Sequence, residues 1–438
     1  MRLFLLLFLV NSLIATSWPI PPADQVHPIG NNWGEYQDYG GGPYFHNGID
    51  ILTPDTSGVE VRAVAPGWVK AWGTIQADLH YRIAVCDSPL TYTDRAEGWL
   101  YAHIDPYRWH KNLGEEVSEG EVIGYLVKWT DEATFDHLHF ARISDTGATW
   151  QRFPAPTWWF IQNPLTLIQP NTDLTPPVFE NARFNFRFAF CENNRNNRYL
   201  NPESLIGDVD IIVKVYDKTG ISTGNQVWDK LAPYQIEFTI RRADGMVIIP
   251  WTLSVQFSNR LEGSLVQVVY KDDRTCNSRG DYENRDYYFI ITNTDGDSII
   301  ELSDTTGKWA TALCDDGDYW VVVRALDVYG NSTLDSMLVS TRNGVGIEQL
   351  TNHYLKKPFD LAPLIGKNGR QISFTLLQPA KVELRLIDPL GRIIDKVCSG
   401  ELPAGEHRFY LKQLPAGVYT LELIAGNRRW HKKAVFVK

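Results

Sequence analysis

The sequence predicts a mainly β protein, with an antiparallel β-sheet domain followed by two β-sandwich domains. Short apolar runs with a period of two recur along the 438 residues, as expected of strands with one buried face. Turn residues punctuate these runs, with 33 Gly and 24 Pro. No segment carries a convincing amphipathic helical stripe. Aromatic residues make up 12% of the chain, and such side chains favour pleated, half-buried surfaces.

The chain opens on a leader rather than on fold. Met1-Arg2 is basic, Leu3 to Val10 is unbroken apolar sequence, and Ala15-Thr16-Ser17 are small. This pattern predicts a signal peptide over 1–17 with cleavage near Ser17. The apolar run falls short of the roughly 20 residues that a membrane span needs, and no later segment is apolar and long enough to span. The expectation is an exported protein: secreted, periplasmic or held at the cell surface. A net charge of −10 argues against nucleic acid as a partner, because phosphate attraction needs a positive field.

From 18 to about 170 the runs Val59–Val64, Gly67–Trp72 and Arg82–Val85 read as strands. Gln169-Pro170 and Thr175-Pro176-Pro177 mark a linker. Over 171–345, Asp208–Tyr216, Tyr234–Ile240, Leu265–Tyr270 and Tyr319–Leu326 read as strands, and 327–331 as a turn. The last domain, 355–438, starts its strand pattern at Val382–Ile387 and has turns at 388–391, 402–405 and 414–417. Strands at this spacing suggest small antiparallel sandwiches whose folding does not need the first domain. The five cysteines are widely spaced and lack a C-x-x-C pair, which disfavours thiolate zinc. One bridge among Cys191, Cys276 and Cys314 remains open.

The chemistry concentrates in the first domain. His137 and His139 lie two apart and share one face of a strand, while Leu138 and Phe140 face the core. His46 and Asp50 lie four apart, roughly 13 Å in a straight strand, whereas ligands of one ion must lie within a few Å of each other. Gly48 and the β-branched Ile49 and Ile51 disfavour a helix, so a bent strand end carries the pair. Two His and one carboxylate form a common catalytic zinc set, with open positions for water and substrate. Zinc lowers the pKa of a water and polarises a carbonyl. Spare histidines then serve as general base and as donor to an oxyanion.

His46-x-x-x-Asp50, Tyr101-Ala102-His103 and His137-x-His139 together resemble the lysostaphin-type (LytM-like) zinc endopeptidases that cut peptidoglycan peptides. Val59–Gly67 followed by Trp68-Val69, Gly120–Gly124 and Asn163-Pro164-Leu165 agree with that pattern. The resemblance covers about 30 to 168 and implies an antiparallel β-sheet peptidase domain of duplicated hybrid motif type. It implies Zn2+ held by His46, Asp50 and His139, with His137 and His103 as the catalytic pair. Departures touch the groove walls. Thr134, Phe135 and Asp136 stand where the family often has Gly-Pro, Ala141 and Arg142 replace a frequent Glu, and the loop from Cys86 to Trp99 is long. The C-terminal stretch, with Leu402–His407, Leu414–Tyr419 and the closing Lys432–Lys438, resembles a hook-cap-like immunoglobulin module and the sorting domain of type IX secretion. That resemblance implies secretion machinery as a partner.

The function these residues imply is a secreted zinc endopeptidase that hydrolyses stem or cross-bridge peptides of peptidoglycan through a zinc-activated water. The alternative is a non-catalytic envelope protein that binds peptidoglycan or activates another hydrolase; it predicts no stoichiometric zinc. A third reading is a metalloprotease of Gly-rich proteins, which a substrate panel separates. His80 and His110 read as surface residues and His27 as part of the rim. His353, His407 and His431 carry no assigned role, and Trp158-Trp159-Phe160 read as core.

Overall fold

A computed structural model of the chain describes residues 15–39, 41–53, 58–73, 78–89, 96–131, 134–145, 159–280, 284–343, 360–361, 370–376, 379–388, 392–411, 414–415, 417–425 and 428–436. It divides into two compact units, Met1–Val345 and Gly346–Lys438. Most of the expected leader lies outside the described residues. Thr16 already belongs to the fold: it bridges to Ile168, and its hydroxyl donates to Val64 O at 2.8 Å.

The first unit is built on an antiparallel sheet. Its strands run in the order Ile29–Asn31, Ile49–Leu52, His137–Asp145, Ala96–Ala102, Arg82–Cys86, Gly67–Gly73, Glu116–Val117, and Ile161–Gln162 pairs with His137–Asp145 as well. The strand His137–Asp145 lies inside the sheet, between Ile49–Leu52 and Ala96–Ala102, and its side chains alternate between the two faces. Leu138 and Phe140 are fully buried among Tyr101, Trp99 and Ile51, with Trp99 stacked on Phe140 at 5.2 Å. The alternate positions, His137 and His139, face the other side.

Beyond 177 the same unit adds two more sheets. One gathers Val178–Glu180, Phe188–Glu192, Tyr288–Ile290 and Trp309–Ala310 around Asp208–Tyr216; the other orders Val247–Gln256, Gln235–Arg242, Gly317–Leu326 and Ser332–Thr341. The expected strand Leu265–Tyr270 is instead a 3-10 turn, Gly263–Leu265, followed by a one-turn helix, Val266–Val269. Burial explains the difference. Val266, Val268 and Val269 are all inside while Gln267 is exposed, a spacing that alternation cannot deliver and a helical turn can.

The sheets change near residue 170, yet the core runs through. One cluster of buried side chains extends from Trp18 to Val339. Phe45 packs edge-on against Phe257 at 6.3 Å and lies 5.8 Å from Tyr270. Tyr270 OH donates to Gly34 O at 2.7 Å, and Trp33 Nε1 to Asn259 O at 3.1 Å.

The second unit is a two-sheet sandwich. Arg370–Leu376 sits between Asp360–Leu361 and Gly405–Leu411; the other sheet orders Ile393–Leu402, Ala380–Ile387, Gly417–Ala425 and Arg428–Phe436. Ile372, Phe374 and Leu376 meet Val382, Leu384, Leu386, Leu421 and Leu423 between them, each set at period two. Cys191, Cys276 and Cys314 are free thiols, so the bridge left open among them is not formed. Among the described residues no helix is long and apolar enough to cross a membrane.

Candidate metal centre

Register brings the strand-borne donors together. His139 pairs with Asp50 across the sheet, and His137 with Leu52. Paired residues share a face, so Asp50 stands beside His139. His46 precedes this strand, in the bend after Tyr44–Phe45. Gly48 makes the bend possible by its size: a Cβ there would lie 2.2 Å from the His139 ring.

His46 Nε2 lies 3.1 Å from His139 Nδ1 and 3.2 Å from Asp50 Oδ1, which in turn is 3.0 Å from His139 Nδ1. Ligand atoms at about 2.0–2.1 Å from a tetrahedral zinc stand about 3.3 Å apart, so the spacing of these atoms fits one ion. His46 Nδ1 donates to Asn32 O at 3.0 Å, which fixes the tautomer that presents a lone pair at Nε2. The three residues are buried.

His137 and His103 flank this set, and with Asp50 they form a second buried group whose donor atoms lie within 4.8 Å of one another. His137 Nε2 is 3.7 Å from Asp50 Oδ2, and its Nδ1 donates to Phe135 O at 2.7 Å. His103 Nδ1 donates to Leu79 O at 2.6 Å. Both therefore turn Nε2 towards the cleft, with ring centres 4.5 Å apart. His103 needs a local break to do so. Ala102 pairs with His139, so a regular strand would send residue 103 to the core side with Leu138. His103 instead adopts φ +68°, a left-handed conformation that costs a non-Gly residue of order 1 kcal/mol, and its ring comes back to the side that His137 and His139 share.

Burial and mutual charge set the protonation states. Burial alone would raise the Asp50 carboxyl, but the charges of His46 and His137 and hydrogen bonds from His139 and His46 hold it well below the usual range. Burial lowers His46, yet Asp50 outweighs it and the imidazole ends above its ordinary value. Burial brings His139 down to about 4, and burial with the nearby His137 and His139 holds His103 well below 6.5.

The set lies in a cleft of about 820 Å³. His80 lines this cleft, its ring 5.5 Å from His103, so it is no mere surface residue. His110 is stacked on Trp72 at 3.8 Å, and His27 is buried beside Trp18 and does not line the cleft. Trp159 is 53% exposed under the Arg260 guanidinium, which corrects its reading as core; Trp158 lies outside the described residues.

Sequence reasoning missed the supports. Asn31 Nδ2 donates to Asp50 Oδ2 at 2.6 Å. Arg285, from beyond residue 177, donates Nη2 to Asn31 Oδ1 at 2.7 Å and Nη1 to the carbonyls of Gly30 and Trp228. Glu35 is fully buried and acts electrostatically on His46. No spacing in the sequence links Arg285 or Asn31 to the histidines.

Fold and donors define a mainly β protein with a buried His/Asp/His centre open to a cleft. Residues 44–149 match the model of Peptidase family M23, a stretch that contains all five of His46, Asp50, His103, His137 and His139. Among solved structures the chain is similar to LytU, at 20% identity over 32% of this chain and 83% of that one, with a TM-score of 0.24. It is similar to the catalytic domain of the prophage-encoded M23 protein EnpA from Enterococcus faecalis, at 20% identity over 29% and 92%, TM-score 0.21. It is also similar to lysostaphin from Staphylococcus simulans, at 18% identity over 54% and 99%, TM-score 0.20. No curated protein matches the chain.

Proposed function

We propose that the chain is a zinc-dependent endopeptidase that hydrolyses stem or cross-bridge peptide bonds of peptidoglycan. The observation that carries this reading is the convergence of His46 Nε2, Asp50 Oδ1 and His139 Nδ1 within 3.0–3.2 Å of one another beside two further imidazoles. His46, Asp50 and His139 would hold the ion, which supplies a more acidic water and a polarised carbonyl. His137 Nε2 is the base: its Nδ1–H is committed to Phe135 O, so Nε2 carries the lone pair that takes the attacking water's proton. His103 rests neutral because of its burial. Its Nε2 faces the cleft, and the proton released by the attacking water, passed on from His137 with ring centres 4.5 Å apart, would turn it into a donor to the oxygen where negative charge develops. The cleft's volume of about 820 Å³ lies within the range of ligand sites.

Digestion of defined muropeptides, with product masses read, tests this. Peptide-bond products that vanish on chelation and return with zinc are expected. Intact muropeptides in the presence of one bound zinc per chain would overturn it. We also read the chain as exported, with the C-terminal sandwich as its address to the secretion machinery. The basic head Met1-Arg2, the apolar run Leu3 to Val10 and the Lys-rich end support this. Full-length protein should appear outside the cell and residues 1–345 should not; equal export of both would count against the address.

A further inference from the structure

Three carboxylates stand together in a part of the first unit that the peptide chemistry does not use. Asp173 comes from the linker, Asp217 follows the strand Asp208–Tyr216, and Asp327 opens the turn after Gly317–Leu326. All three are buried, at 7%, 4% and 3% exposure. One oxygen from each lies within 4.8 Å of the others. That is the widest separation of two oxygens on one ion at about 2.4 Å, an ordinary calcium–oxygen distance.

The hydrogen bonds present shape the cluster without neutralising it. Asp327 Oδ1 accepts from Tyr329 N and Asn331 N at 2.9 and 2.8 Å, and its Oδ2 accepts from Asn331 Nδ2 at 2.6 Å. Asn331 Nδ2 also donates to Asp173 O at 3.0 Å, and Asp173 Oδ1 accepts from Thr175 N at 2.8 Å. Asp217 Oδ1 is buried with no hydrogen-bond partner. After burial itself, the strongest influences on Asp217 are the like charges of Asp327 and Asp173. An unpartnered carboxylate oxygen in such a place is destabilising, unless something positive is bound there.

We propose that Asp173, Asp217 and Asp327 form a calcium site that fastens the linker to the two turns of the second β region. The donor chemistry selects the ion. The set is all oxygen, with neither imidazole nor thiolate, which suits a hard cation rather than zinc. Calcium accepts irregular sets of carboxylates and carbonyls, whereas magnesium demands a near-octahedral shell and keeps most of its water. The site is chemically separate from the His/Asp/His centre, so neither claim depends on the other.

The test uses the full chain, stripped of metal and supplied with one equivalent of zinc, titrated with calcium chloride by calorimetry and followed by thermal unfolding. One calcium per chain and a rise of several degrees in the first unit's melting temperature are expected. Asp217→Asn and, separately, Asp173→Asn should weaken calcium roughly tenfold or more, since each removes one ligand charge. Without calcium, Asp217→Asn should be at least as stable as the wild type, because one of three repelling charges is gone. In its presence the order should reverse. Absence of calcium heat and of any melting shift would overturn the proposal, as would variants that bind calcium like the wild type. Equal stabilisation by magnesium at the same concentration would overturn the choice of ion.

Discussion

At the scale of residues, the proposed division between holding and chemistry rests on position: His46, Asp50 and His139 converge within 3.0–3.2 Å of one another, and His137 Nε2 stands 3.7 Å from Asp50 Oδ2. His139→Ala removes an atom that lies 3.0 Å from Asp50 and 3.1 Å from His46, so zinc should be lost. His137→Ala and His103→Ala should keep one zinc per chain and lose turnover by about 10²- to 10⁴-fold. Zinc content and rate measured on the same preparations decide this, and release of zinc from His137→Ala would make His137 a ligand. Protonation gives a second check. The His103 imidazole titrates near 6.5 when free and well below that in the fold, so below 6.5 the unfolded chain binds a proton that the folded one refuses. Its contribution to stability is present above 6.5 and fades as pH falls. His139 acts in the same direction and His46 in the opposite one. Metal-free wild type should therefore lose more stability than metal-free His103→Gln between about pH 7.5 and 5.5, by up to about 1.4 kcal/mol per pH unit. Parallel denaturation midpoints for the two would sink the claim.

At the scale of elements, the bend before Ile49–Leu52 is the feature with least room for change. Gly48 has nothing left-handed about it; it is small because the His139 ring occupies the space of a side chain. Gly48→Ala should push that ring off Asp50 and weaken zinc by about tenfold or more, while the far-ultraviolet circular dichroism stays that of the wild type. Unchanged zinc affinity would show that the bend can yield. The same elements explain what could be read in advance. Asp208–Tyr216 is visible to the residue, and His137 with His139 on one face follows from alternation alone. The bend at His46–Asp50 follows from the distance a straight strand would impose. Two features escape such reasoning. The segment Val266–Val269 is rich in β-branched residues and still turns as a helix, because three valines need one side. The φ of +68° at His103 reverses the face that alternation assigns, and no local residue announces it.

At the scale of the whole molecule, the region beyond 177 completes the centre rather than trailing behind it. Its contribution was illegible because it depends on a contact between residues 254 positions apart, Arg285 and Asn31. Periodicity finds the sheets on each side of residue 170; it cannot show that Phe257 and Tyr270 finish the core beneath Phe45. The chain Arg285 to Asn31 to Asp50 makes this connection testable. Arg285 is 2% exposed, and its guanidinium binds the carbonyls of Gly30 and Trp228 as well as Asn31 Oδ1. Arg285→Met keeps much of the volume and removes every one of these donors. It should cost about 1.5–3 kcal/mol of stability, read as a lower urea midpoint for the first unit. It should also free Asn31 from its orientation, leave Asp50 Oδ2 less firmly held, and weaken zinc by about 10- to 100-fold, the range for partners that orient a ligand. Arg285→Lys separates charge from geometry, because an ammonium keeps the charge but lacks the planar fork that reaches Asn31 and the carbonyls together. Its zinc affinity should fall between wild type and Arg285→Met. Should Arg285→Met bind zinc within about twofold of wild type while losing stability, Arg285 would be a brace for the core alone, and Asp50 would owe its position to the sheet register with His139.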